Sequence, residues 1–184
     1  MRSLRSLSAV AALAGLFAGE VAQAQVQAGP CLSEQEVGSL VTYALPVVMD
    51  SAIKACAPTL SPQGYFATQG TALVQRYAVR KPGAWPLAKA ALLKLGNGDK
   101  NDKMGDMITK LPDQALQPFA EGMVAQMVAE GIKPDQCTAI ERATRLLSPL
   151  PPENTADLLT FVLVLSEKPK PGKKSKLPIC AVKG

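Results

Sequence analysis

The chain reads as an all-α protein: a single small disulfide-stapled helical domain of six or seven short helices, after a cleaved signal peptide. Three observations predict this. Apolar residues recur at the i, i+3, i+4 spacing of a helix face along most of the chain. Prolines and glycines interrupt that pattern at short intervals. Four cysteines, Cys31, Cys56, Cys137 and Cys180, all follow an N-terminal export signature.

The signature occupies residues 1–24. Arg2 and Arg5 precede a small, apolar run from Ala9 to Ala18, and Ala22-Gln23-Ala24 supplies an A-x-A cleavage site. Pro30 beside Cys31 makes a poor lipidation site. The mature chain is expected to start near Gln25, with residues 25–30 as a loose lead-in, 31–167 as the helical domain and 168–184 as a basic Pro/Lys-rich extended tail tethered by Cys180. The most apolar run of the mature part, Leu158–Leu165, is too short to cross a bilayer, which needs about 20 residues. No transmembrane segment is expected after cleavage.

Ser33 and Glu36 form a capping box that opens the first helix. Val37, Leu40, Val41, Ala44, Leu45 and Val48 begin one apolar face that runs on to Cys56. Pro46 falls off that face and is expected to kink the helix toward solvent. Ala57-Pro58 ends it. Ser61-Pro62 reads as N-cap and first residue of a second helix, with Phe66, Gly70, Leu73, Val74 and Tyr77 inward and Pro82 as its stop. A third helix is expected from Trp85 to Leu95, closed by Gly96-Asn97-Gly98. Met104, Met107, Ile108 and Leu111 mark a short fourth. Pro112-Asp113 opens a fifth, carrying Leu116, Phe119, Met123 and Met127 to Gly131. Pro134-Asp135 opens a sixth, with Cys137, Ile140, Thr144 and Leu147 inward. The last element, from Glu153, ends in β-branched residues, but nothing else in the chain offers a strand partner; it is read as a buried helix.

Four cysteines allow three pairings. Cys31 precedes the first helix and Cys56 ends it, so an unbroken helix holds them roughly 35 Å apart, against the ~7 Å a disulfide tolerates. A short turn between helices six and seven would place Cys137 near the start of the tail and favour Cys137–Cys180. An extended tail from Lys168 to Cys180 can nevertheless span roughly 37 Å at ~3.1 Å per residue. Cys56–Cys137 with Cys31–Cys180 is preferred, and the other two connectivities stay open. A metal site is disfavoured: there is no histidine and no C-x-x-C pair.

The formal charge of +5 is unevenly spread. Residues 25–167 carry 12 basic and 14 acidic side chains, whereas 168–184 hold six lysines and no acid. The body shows no nucleic-acid face. In the tail, Lys168, Lys170, Lys173, Lys174 and Lys176 are candidates for contact with an anionic surface, though a solubilising strap is the plainer reading. No aromatic lies among them to stack on bases.

Catalytic patterns are missing. Without histidine or G-x-S-x-G there is no assembled nucleophile, and no enzymatic activity or cofactor is expected. Asn97, Asp99 and Asn101 begin like a calcium loop, but the sixth position is Asp102 and the twelfth Ile108, which removes the turn glycine and the bidentate ligand. Met104 with Met107, and Met123 with Met127, share helix faces. They suit an adaptable apolar face or, less simply, soft Cu(I) ligation; ordinary gap-filling in an aromatic-poor core is the plainest reading. The expectation is therefore a small exported helical protein, periplasmic first and extracellular second, that acts by binding. A protein-interaction or inhibitor module with an unknown envelope partner comes first. A carrier for a small apolar ligand or lipid, with a Leu/Val/Met-lined cavity, comes second.

Overall fold

The capping box at Ser33 forms as its residue types require. The Ser33 hydroxyl accepts from the Glu36 N–H at 3.2 Å, and the Ser33 N–H donates to the Glu36 carboxylate at 2.8 Å. This box opens helix α1, Glu34–Cys56. The computed structural model describes residues 31–97, 103–167 and 177–180. Among these, six further helices follow: α2 Tyr65–Ala78, α3 Lys81–Asn97, α4 Lys103–Lys110, α5 Asp113–Gly131, α6 Cys137–Leu147 and α7 Pro152–Ser166. A 3-10 turn at Pro134–Gln136 leads into α6. The described residues contain no strand; a single parallel bridge joins Leu32 to Ile179.

Helix α1 is the hub. Helices α2, α3, α5 and α7 all pack on it, α4 lies on α3, and α6 rests on the α1–α2 pair. Four small cores line its length. Tyr43 meets Trp85, Ala88, Ile108 and Leu116; Val37 meets Leu32 and Ala91; Leu45 meets Leu73 and Tyr77; Cys56 meets Phe66 and Cys137. The single apolar face read from the sequence is thus too narrow. Glu36, Tyr43, Pro46 and Ser51 are buried as well, because four neighbours surround the helix. By length and composition α1 is apolar enough to cross a membrane. Four helices pack on it, yet only 33% of that apolar stretch is buried.

Three expectations need correcting. Helix α2 does not begin at Ser61-Pro62: Gly64 is its N-cap and has no side chain to cap with. The missing acceptor comes from a distance, since Phe66 N–H donates to Glu141 of α6 at 2.8 Å. Pro82 does not stop α2 either. The chain turns at Val79-Arg80, and Pro82 lies in the first turn of α3, where its missing N–H costs nothing. Helix α7 is a helix but only half-buried. Thr155, Ala156 and Thr160 face the body, while Leu158, Phe161, Val162 and Leu165 are exposed. Nothing among the described residues covers their side.

The structure joins Cys31 to Cys180, with Cα atoms 5.0 Å apart, and Cys56 to Cys137, at 5.3 Å. The unbroken α1 explains why Cys31 and Cys56 do not pair. The end of the chain is also held by backbone: Leu32 N–H donates to Pro178 C=O at 2.6 Å, and Cys180 N–H to Leu32 C=O at 2.8 Å. Ile179 packs beside Leu32 and Val37. Helix α6 lies on α1 and α2 rather than along α7, so the short turn between α6 and α7 does not produce the antiparallel pair expected from it.

Candidate functional site

Pro46 has no N–H to give to the carbonyl four residues back, yet α1 stays helical through it. Its ring is buried, not turned to solvent as expected, and helps to floor a groove. The groove is open, about 660 Å³ in volume, and lies between α2 and α5 over the second half of α1. Pro46, Val47, Ser51 and Ala55 form the floor. Val74 and Ala78 form one wall; Gly122, Ala125 and Ala129 form the other. The lining from Pro46 to Ala55 extends about 13 Å along α1 at ~1.5 Å per residue.

Charge is placed at both ends of this apolar trough. At one end Lys81, from the start of α3, pairs with Glu121 of α5 at 2.6 Å. The Tyr43 hydroxyl donates to the same Glu121 oxygen at 2.7 Å. The Lys81 ammonium also sits 5.1 Å from the Tyr43 ring centre, and Trp85 backs that ring at 4.8 Å. Burial pushes the Glu121 pKa up, but the hydrogen bonds from Lys81 and Tyr43 and the Lys81 charge outweigh it and hold the carboxyl below its usual range. Burial, then the adjacent carboxylate, drive the Tyr43 phenol well above its usual range. At neutral pH, therefore, Glu121 stays charged and Tyr43 stays protonated. Near the other end Lys54 and Asp50 form an exposed i, i+4 pair at 2.7 Å.

The residues singled out from the sequence lie elsewhere. Methionine contributes nothing to the groove lining. Met107 and Met127 are exposed and Met123 is half-buried. Met104 lies in α4, with its side chain outside the described residues, as are the five tail lysines Lys168–Lys176 and most of the Asn97–Asp102 turn. Leu116 of the α5 stripe is buried, but the stripe fades toward Met127 because only the first half of α5 also lies under α3 and α4. Sequence reasoning missed Tyr43, Lys81 and Glu121, which lie far apart in the chain. One signal was present: Gly122, Ala125 and Ala129 put small residues at i, i+3 and i+7 along one side of α5. Among the described residues no three His, Cys, Asp or Glu side chains cluster as a metal site.

Compared with family models, with curated proteins and with solved structures, the chain finds no match.

Proposed function

We propose that the protein is an exported binding module that receives an amphipathic helix of a partner protein in the groove between α2 and α5. The groove itself carries this reading. It is open rather than enclosed, and about 13 Å takes roughly two helical turns. Its α5 wall presents Gly122, Ala125 and Ala129, which let a second backbone approach closely. The charge pairs at Lys81–Glu121 and Asp50–Lys54 provide polar ends that fix register, while the floor supplies apolar contact. An enclosed Leu/Val/Met cavity would have favoured the carrier reading; the observed groove is open and mixes small apolar residues with Asp50, Ser51, Lys54, Lys81, Glu121 and Gln126. Two disulfides fit an oxidising compartment, and the A-x-A leader supports export to the periplasm.

The test is site-specific photocrosslinking in the envelope. A crosslinker at Ala125, in the groove wall, is expected to capture one protein through a helical segment. A crosslinker at Ala67, exposed on α2, is the control. Equal capture at both positions, or none at Ala125, would reject the groove as the docking site.

A further inference from the structure

The two disulfides differ in access. Cys56 and Cys137 are 0% and 1% exposed and sit in a core with Phe66. Cys31 and Cys180 are both partly exposed. Thiol–disulfide exchange needs a thiolate to touch sulfur, so its rate follows access. A reductant can therefore meet Cys31–Cys180 in the folded protein. It meets Cys56–Cys137 only after that core opens.

The accessible pair fastens a small piece of chain. Residues 177–180 lie against the entrance to α1, joined there by one isolated bridge. Leu32 N–H donates to Pro178 C=O at 2.6 Å, and Cys180 N–H donates to Leu32 C=O at 2.8 Å. Ile179 packs on the cluster of Leu32, Val37 and Ala91. Without the crosslink, these contacts alone must hold the segment against its conformational entropy. The helical body does not depend on them, because α2, α3, α5 and α7 pack directly on α1.

We propose that Cys31–Cys180 is a redox-modification site, opened by a dithiol while Cys56–Cys137 stays intact. One thiolate of the dithiol attacks a sulfur of the pair. The protein S–S bond breaks, a mixed disulfide forms, and the other cysteine leaves as a thiolate. The second thiol of the reductant then displaces the first cysteine and closes the reductant's own disulfide. The dithiol is oxidised, the protein gains its electron pair, and its protons end on Cys31 and Cys180. Release of residues 177–180 uncovers Leu32 and Val37. It also loosens the neighbourhood of Lys94, whose ammonium reaches the Cys31 carbonyl at 3.5 Å and the Glu36 carboxylate at 2.9 Å. The site lies at the start of α1, outside the groove, and does not rest on the docking reading.

The experiment treats the naturally processed protein with dithiothreitol, without denaturant. Free thiols are alkylated over time and located by mass spectrometry. Cys31 and Cys180 are expected to label at least tenfold faster than Cys56 and Cys137. In the selectively reduced protein the Leu32 amide is expected to exchange with deuterium at least tenfold faster, while the helical circular dichroism is kept. Thioredoxin in a parallel arm identifies the source of the dithiol. The same order of labelling supports a protein reductant; labelling by dithiothreitol alone supports a small one. Equal labelling of all four cysteines, or labelling of Cys56 and Cys137 first, would overturn the proposal. So would unchanged protection of Leu32, because reduction would then open nothing. Loss of the helical signal when only Cys31–Cys180 is reduced would overturn it as well, since the bond would then hold the body together.

Discussion

The Glu141 carboxylate of α6 accepts the Phe66 backbone N–H at 2.8 Å and so caps a helix that lies 75 residues earlier in the chain. Gly64 makes room for it. A Cβ at that position would stand 2.7 Å from the Glu141 oxygen and 3.0 Å from the Ser61 carbonyl. E141A is expected to cost about 1–2 kcal/mol, as for loss of an N-cap. G64A should cost a similar amount by pushing the carboxylate off the cap. If so, the two are not additive, and G64A costs much less in the E141A background. Urea unfolding of the four proteins measures this; simple additivity would show that the two residues act separately.

Glu36 is 1% exposed, and Lys94 of α3 lies 2.8 Å from one of its oxygens and 2.9 Å from the other. Burial pushes the Glu36 pKa up, but the hydrogen bonds from Lys94 and Ser33 and the Lys94 charge bring it below the ordinary value of 4.5. A depressed folded-state pKa contributes stability that is complete above the unfolded value and is lost as pH falls through the folded one. Acid should therefore loosen the α1–α3 contact only below about pH 4.5. K94M leaves the buried carboxylate unpaired and should cost about 3–5 kcal/mol at neutral pH. In that variant only the Ser33 hydrogen bonds still oppose burial, and the Glu36 pKa rises. The stability gap to wild type should then narrow as pH drops from neutral toward 4.5, which pH-dependent thermal melts will show or refute.

The two disulfides close sequence separations of 149 and 81 residues. Loss of either, as C31S/C180S or C56A/C137A, is expected to cost about 2–5 kcal/mol. The Cys56–Cys137 pair also forms part of a buried core with Phe66, so its loss adds a packing defect. Peptide mapping without reductant should yield these two linkages. A Cys137–Cys180 peptide would contradict the arrangement.

Gly122 and Gly83 both lie inside helices, and a methyl group added at either meets nothing within 4 Å. Replacement by alanine should stabilise the protein by about 0.4–1 kcal/mol in each case, through the unfolded chain. Only Gly122 belongs to the groove between α2 and α5. G122A is thus expected to raise the melting temperature and weaken partner binding together, whereas G83A raises the melting temperature alone. Equal partner binding by the two variants would argue against close helix docking.

Much of the secondary structure is legible in the residues themselves. The Ser33–Glu36 box, the Phe66–Tyr77 stripe and the proline entry to α6 all act within a turn or two of chain, so residue spacing is enough to place them. The errors arose where the decisive partner is remote. Gly64 caps α2 only because Glu141 supplies the acceptor. Tyr43, Lys81 and Glu121 become one cluster only when α3 and α5 both reach α1.

By itself, the sequence determined that the chain is helical, roughly where its helices lie, and that its excess positive charge is confined to the residues after α7. The tertiary structure decided which cysteines meet, that four helices pack on α1, that Pro46 floors a groove, and that the apolar run of α7 is exposed on one side. The reason is physical. A hydrophobic pattern records which side of a helix avoids water, whereas whether that side is covered depends on the positions of every other helix.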